Sequence, residues 1–145
     1  MPLGPTGNKQ YLTDVDVRIW LRDNDPEANT LIDDFEFESE EIRHAMTLAV
    51  DYYNETPPFT GRFDYDKFPS RYHLLLGTAA NLLFMAARRY ARNHLNYSAG
   101  GVSVDDQNKH QLYDAASDRL RAAYHEWVAA KKKADNINAG WGTIN

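Results

Sequence analysis

Apolar positions along this chain recur mostly three and four residues apart, and the elements they predict are helices. Residues 1–10 hold Pro2, Gly4, Pro5 and Gly7 and read as a flexible N-terminal arm. In "LTDVDVRIWLRD", Thr13 or Asp14 suits an N-cap, and Val17, Trp20 and Leu21 share one helical face. Pro26 ends that short helix, and a turn-rich acidic segment runs on through Phe35 and Phe37. "SEEIRHAMTLAVDYYNE" predicts a second helix, with Ser39 as its cap and Glu40 and Glu41 complementing its dipole. Ile42, Ala45, Met46, Ala49, Val50 and Tyr53 form its core stripe, and Pro57 and Pro58 stop it.

The next pattern is different. "PPFTGRFDYDKF" partly alternates, with Phe59, Phe63, Tyr65 and Phe68 among polar residues, which predicts an extended excursion or hairpin. Pro69 then opens a long helix to about Asn93, apolar on most sides from Leu74 to Ala87 and so expected to be the central one. "HLNYSAGGVSVDD" breaks the pattern as a loop, in which Gly100 and Gly101 permit a bend other residues resist. Asp105 or Asp106 caps a last helix to about Lys133, with Leu112, Ala116, Leu120, Ala123, Tyr124 and Trp127 facing inward. The expected fold is all-α: a bundle of about four helices with one irregular or hairpin-like loop and extended termini. It divides into an arm (1–10), a helical domain (11–133) and an extended tail (134–145).

At 145 residues the chain fits one domain with one core. It has no cysteine, which removes disulfide and thiolate chemistry. "MPLGPTGNKQ" carries no apolar run of the kind a secretory signal uses. "LLLGTAANLLFMAA" is too short to span a bilayer, so the reading is of a soluble protein without membrane contact.

Charge changes the picture more. The net charge is −5, yet residues 1–66 hold 15 acidic and 5 basic side chains while residues 67–145 hold 6 and 11. Nine carboxylates and no Lys or Arg lie between Asp23 and Glu41. Such a division fits either a solvated pole or head-to-tail self-association.

Candidate chemistry changes it little. His44, His73, His94, His110 and His125 lack any metal-ligand spacing. "DNDPE" opens like a calcium loop but has Ala28 at the glycine position and Asp34 where a bidentate Glu belongs. Asp105 and Asp106 diverge by about 100° on a helix and do not form an acid–base pair. "SAGGVSVDD" lacks the Lys-Ser or Lys-Thr of a phosphate cradle. The basic clusters at helix ends suit the dipole without nucleic acid. The expectation is a non-enzyme with no cofactor and no metal.

Two stretches carry a resemblance to the small helical connector proteins of tailed-bacteriophage necks, the head-completion or head-to-tail adaptor family. One is "LTDVDVRIWLRDNDPEANTLIDDFEFESEEIRHAMTLAVDYYNETPP", with its short helix, acidic turn and amphipathic helix ending in Tyr-Tyr. The other runs from "LLLGTAANLLFMAARRYARNHLNYSAGGVSVDD" to the Trp-bearing tail. The resemblance implies a virion protein, assembled in the host cytoplasm, that forms a homo-oligomeric, dodecameric ring beneath the portal protein. Such a ring extends the channel through which viral DNA passes without sequence-specific binding, and it seats the next neck or tail protein. It also implies a portal-binding tail at Ile137, Trp141 and Ile144. A contact loop is expected at Tyr97, Ser98, Gly100, Gly101, Val102 and Val104. A closing head-to-tail contact needs two unlike patches. They are expected as an acidic one at Asp23, Asp25, Asp33, Asp34 and Glu36, and a basic one at Arg88, Arg89 and Arg92. Another neck component (terminator, stopper or collar) is the alternative, and a helical metal-binding or enzymatic module is a further one.

Overall fold

The structure is a computed structural model, and it describes residues 11–22, 37–100 and 105–143. Among these residues four α-helices follow in order: α1 (Asp14–Leu21), α2 (Ser39–Glu55), α3 (Arg71–Gly100) and α4 (Asp105–Thr143). A 3₁₀ turn at Tyr65–Lys67 lies between α2 and α3. The described residues contain no strand, so the fold is all-α; of the excursion or hairpin expected over residues 59–68, the hairpin does not form, and the segment is an irregular connection containing the 3₁₀ turn.

Local signals explain the helix starts. Thr13 caps α1: its hydroxyl accepts from the Asp16 backbone N–H at 3.3 Å, and the Asp16 carboxylate accepts from the Thr13 N–H at 3.1 Å. This reciprocal box satisfies two backbone donors that the helix leaves open. Thr13→Ala should therefore lower stability by about 1 kcal/mol. Chemical denaturation would read it as an earlier midpoint at unchanged slope. Arg22 closes α1 in the left-handed conformation, φ 63°, donating its N–H back to Ile19 and Arg18. α2 begins at Ser39, so Glu38 rather than Ser39 occupies the cap, and its N–H donates to Glu41 Oε1 at 3.0 Å. α3 begins two residues after Pro69. Ser70 caps it, accepting the His73 N–H on its hydroxyl at 3.2 Å.

α3 and α4 form an antiparallel pair, fixed by Tyr90 stacked on Tyr113 near one end and His73 stacked on Trp127 near the other. Between those contacts the helices come close enough that the Ser117 hydroxyl donates to the Ala80 carbonyl at 2.9 Å. α2 packs across α3, and α1 touches both. The core stripe expected for α2 is buried in full, from Ile42 to Tyr53. On α3, Leu74, Leu76, Leu82, Leu83, Ala86 and Ala87 are buried among the others.

Several expectations on register and length are corrected. On α1, Val17 and Arg18 are buried and Trp20 is exposed, because the core side of this segment is the one that carries Leu12, Val17 and Leu21. On α4, Leu112 and Ala123 face solvent, while Ser117, Tyr124, Val128 and Lys132 are buried. The inner stripe of α4 is thus rotated from the expected one, to the side on which Tyr124 meets Gly77. Both long helices also overrun their expected ends. α3 continues through Tyr97, Ser98 and Gly100, and α4 continues through Ile137 and Trp141 to Thr143. The expected extended tail over residues 134–143 is helix, since no proline interrupts it and each added residue regains a backbone hydrogen bond.

Candidate functional site

The segment between α2 and α3 is held inward. Asn54, buried, clamps Phe63 at both backbone polar groups: its Nδ2 donates to the Phe63 carbonyl at 3.0 Å and its Oδ1 accepts the Phe63 N–H at 2.9 Å. Phe63 and Phe68 then pack edge-on to Tyr53, with ring centroids 5.9 and 5.1 Å apart. Trp127 of α4 stacks on Tyr53 from another side and on His73 at 4.5 Å. Burial lowers the pKa of His73 below the usual imidazole value. The alternation of aromatic and polar residues here therefore records a plug over the core, with Phe59 left exposed.

Beneath this plug lies a polar cluster that periodicity alone did not signal. The Lys132 ammonium is buried 4.3 Å from the centre of the Tyr53 ring. Lys132 Nζ, the Tyr53 hydroxyl and the Thr60 hydroxyl are all buried, and among the described residues Lys132 Nζ meets no hydrogen-bond acceptor. Desolvation lowers the Lys132 pKa, partly opposed by the Asp135 carboxylate. Burial raises that of Tyr53. Asp135 itself holds Lys131 at 3.0 Å. The spacing Tyr124, Val128, Lys132 was the available signal, but a lysine four residues beyond a valine ordinarily belongs to a solvated face.

The surface around α1 is of another kind. Two grooves flank its start. One, of about 340 Å³, lies between Leu12, Ile42 and Met46. The other, of about 210 Å³, is lined by Leu12, Asp16, Ile19, Arg71, Tyr72 and Leu75. Beside them Val15, Ile19 and Tyr72 are 54, 53 and 60% exposed, and Trp20 and Tyr11 are also exposed.

The expected site residues divide as follows. Arg88 and Arg92 are exposed, and Arg88 lies 5.5 Å over the Phe84 ring. Arg89 instead reaches Glu41 at 2.7 Å, joining α3 to the start of α2. Tyr97, Ser98 and Gly100 belong to α3, not to a projecting loop. Gly101, Val102 and Val104 lie outside the described residues, as do the acidic positions Asp23, Asp25, Asp33, Asp34 and Glu36. Ile137 is exposed on α4, Trp141 falls on the same helix, and Ile144 lies outside the described residues. Among the described residues, no three His, Asp or Glu side chains converge on a point where an ion could sit. No helix there is long and apolar enough to cross a membrane. Compared with known proteins, the chain matches no family model, no curated protein and no solved structure.

Proposed function

We propose that this chain is a structural subunit of a tailed-phage neck: a head-to-tail adaptor whose copies close into a dodecameric ring beneath the portal protein. In this reading it works by contact and breaks no bond. The ring prolongs the channel for viral DNA and seats the next neck or tail component. The observation that carries the reading is the apolar surface at α1, where Val15, Ile19 and Tyr72 stand exposed beside the two grooves. A chain that works alone rarely leaves such a cluster in water. The division of charge between an acidic first half and a basic second half supplies the unlike patches that a closing heterologous contact needs.

Since Glu41 engages Arg89, the basic patch of this proposal rests on the exposed Arg88 and Arg92. The acidic patch is Asp23, Asp25, Asp33, Asp34 and Glu36. The portal contact is the helical end that carries Ile137 and Trp141. Mixing the purified chain with portal rings should give a complex carrying a full ring of this protein. Reversal of Asp33 and Asp34 to Lys should abolish it, as should reversal of Arg88 and Arg92 to Glu. The combined reversal should restore it. Single reversals without effect on assembly, or a combination that rescues nothing, would refute this contact.

A further inference from the structure

The outer face of α4 carries a seven-residue repeat that packing among the described residues does not use. Ala-Ala pairs stand at 115–116, 122–123 and 129–130. Between and beyond them, at the same spacing, stand Arg119, Glu126 and Lys133. All of these except the half-buried Ala116 are exposed, and the face is bounded by exposed Leu112 and Ile137. None of the three charges has an opposite charge three or four residues away on its own helix; alanines fill nearly all of those positions. An isolated solvated helix face gains support from such intrahelical pairs. This face omits them and places alternating charges at the spacing that meets another helix.

We propose that this face pairs with the same face of a second copy, the two α4 helices running antiparallel about a two-fold axis between residues 122 and 123. Charge selects the arrangement. A parallel pairing in register would set Arg119 against Arg119 and Glu126 against Glu126. The antiparallel one sets Arg119 opposite Glu126 of the second copy, twice over, and it sets each outer Ala-Ala pair against the other. Centring on residues 129 and 130 would also match Glu126 with Lys133, but it would overlap only residues 116–143 of the helix. The proposed centre overlaps residues 105–140. Small side chains along the seam let the helix axes approach to about 8 Å, the short end of the usual range. An isologous contact of this kind closes at two copies. It goes beyond the ring reading, since it uses neither the α1 surface nor the charged halves.

Sedimentation of the full chain over a concentration series tests it. The expected result is a monomer–dimer equilibrium. Arg119→Glu or Glu126→Arg should weaken it about tenfold or more, and the two together should bring it back to within about threefold of the unaltered chain. The chain has no cysteine, so Ala123→Cys places a single thiol beside the two-fold axis, and oxidation should yield a covalent dimer. These positions are exposed, so the variants should retain their helical circular dichroism. A chain that stays monomeric to about 1 mM would overturn the pairing. So would a dimer indifferent to both reversals. A large closed assembly that tolerates Arg119→Glu would favour the ring and overturn the α4 pair. Loss of portal binding with the dimer intact would do the reverse.

Discussion

Gly77→Val should destabilise the protein by about 3 kcal/mol, lowering its melting temperature by about 10 °C. A Cβ at residue 77 would stand 2.9 Å from Cδ2 and Cε2 of Tyr124 and 3.0 Å from its Cγ. These are the near edge of a buried ring, not the far end of a flexible chain. The ring is pinned: its hydroxyl donates to the Ala49 carbonyl on α2, and it lies against Tyr52 and Trp127. Relief of the overlap therefore requires α3 and α4 to separate, which would also weaken the neighbouring bond from Ser117 to Ala80. Gly77→Ala separates the effects. Helix propensity favours alanine by about 1 kcal/mol. The overlap outweighs that gain, so even alanine should lower stability, though by less than valine. A calorimetric scan in which Gly77→Ala melts higher than the unaltered chain would show that Tyr124 yields without cost.

Lys132→Met should raise stability by about 2 kcal/mol near neutral pH. Methionine keeps the length of the stem and removes an ammonium that is buried with no hydrogen-bond partner among the described residues. The Tyr53 ring 4.3 Å away returns part of the desolvation cost, about 1 kcal/mol. Asp135, which also engages Lys131, returns a further part. The sign of the pH dependence follows from the lowered pKa. Between the folded value and the ordinary lysine value near 10.4, the unfolded chain binds a proton that the folded chain does not. Stability of the unaltered protein therefore rises with pH through that window, and the penalty is complete below it. The advantage of Lys132→Met should be largest at neutral pH and should shrink as pH approaches 10. His73 and His125, whose pKa values burial also lowers, act elsewhere, with stability falling as pH drops below about 6.5. A variant that melts lower than the parent at pH 7 would mean that the Tyr53 face and Asp135 satisfy the ammonium in full.

How much was legible follows from which residues speak for themselves. The Thr13 box and the α2 stripe from Ile42 to Tyr53 are local: capping geometry and three-four periodicity are complete within a few residues. The proposed contact residues were not legible in this way. Arg89 has the charge of a docking residue, but its geometry makes it a tie to Glu41 forty-eight positions earlier. Tyr97 and Ser98 sit beside glycines that suggest a loop, but the helix carries on through them. Glycine and asparagine cost a helix at most about 1 kcal/mol each, and a helix already nucleated absorbs that.

By itself, the sequence determined the helical class, the order of the elements, the inner face of α2 and the uneven charge. Each of these depends on spacing and composition alone. The tertiary structure alone decided the rotation of α4, the inward plug made by Phe63 and Phe68, and the burial of Lys132. α4 offers apolar or small residues on two faces, and its own periodicity cannot choose between them. What chooses is the close approach at Gly77 and Ala80, which admits the Tyr124 ring and the Ser117 hydroxyl. Once that side faces inward, the turn that follows carries Lys132 under Tyr53 and leaves the alanine repeat in water.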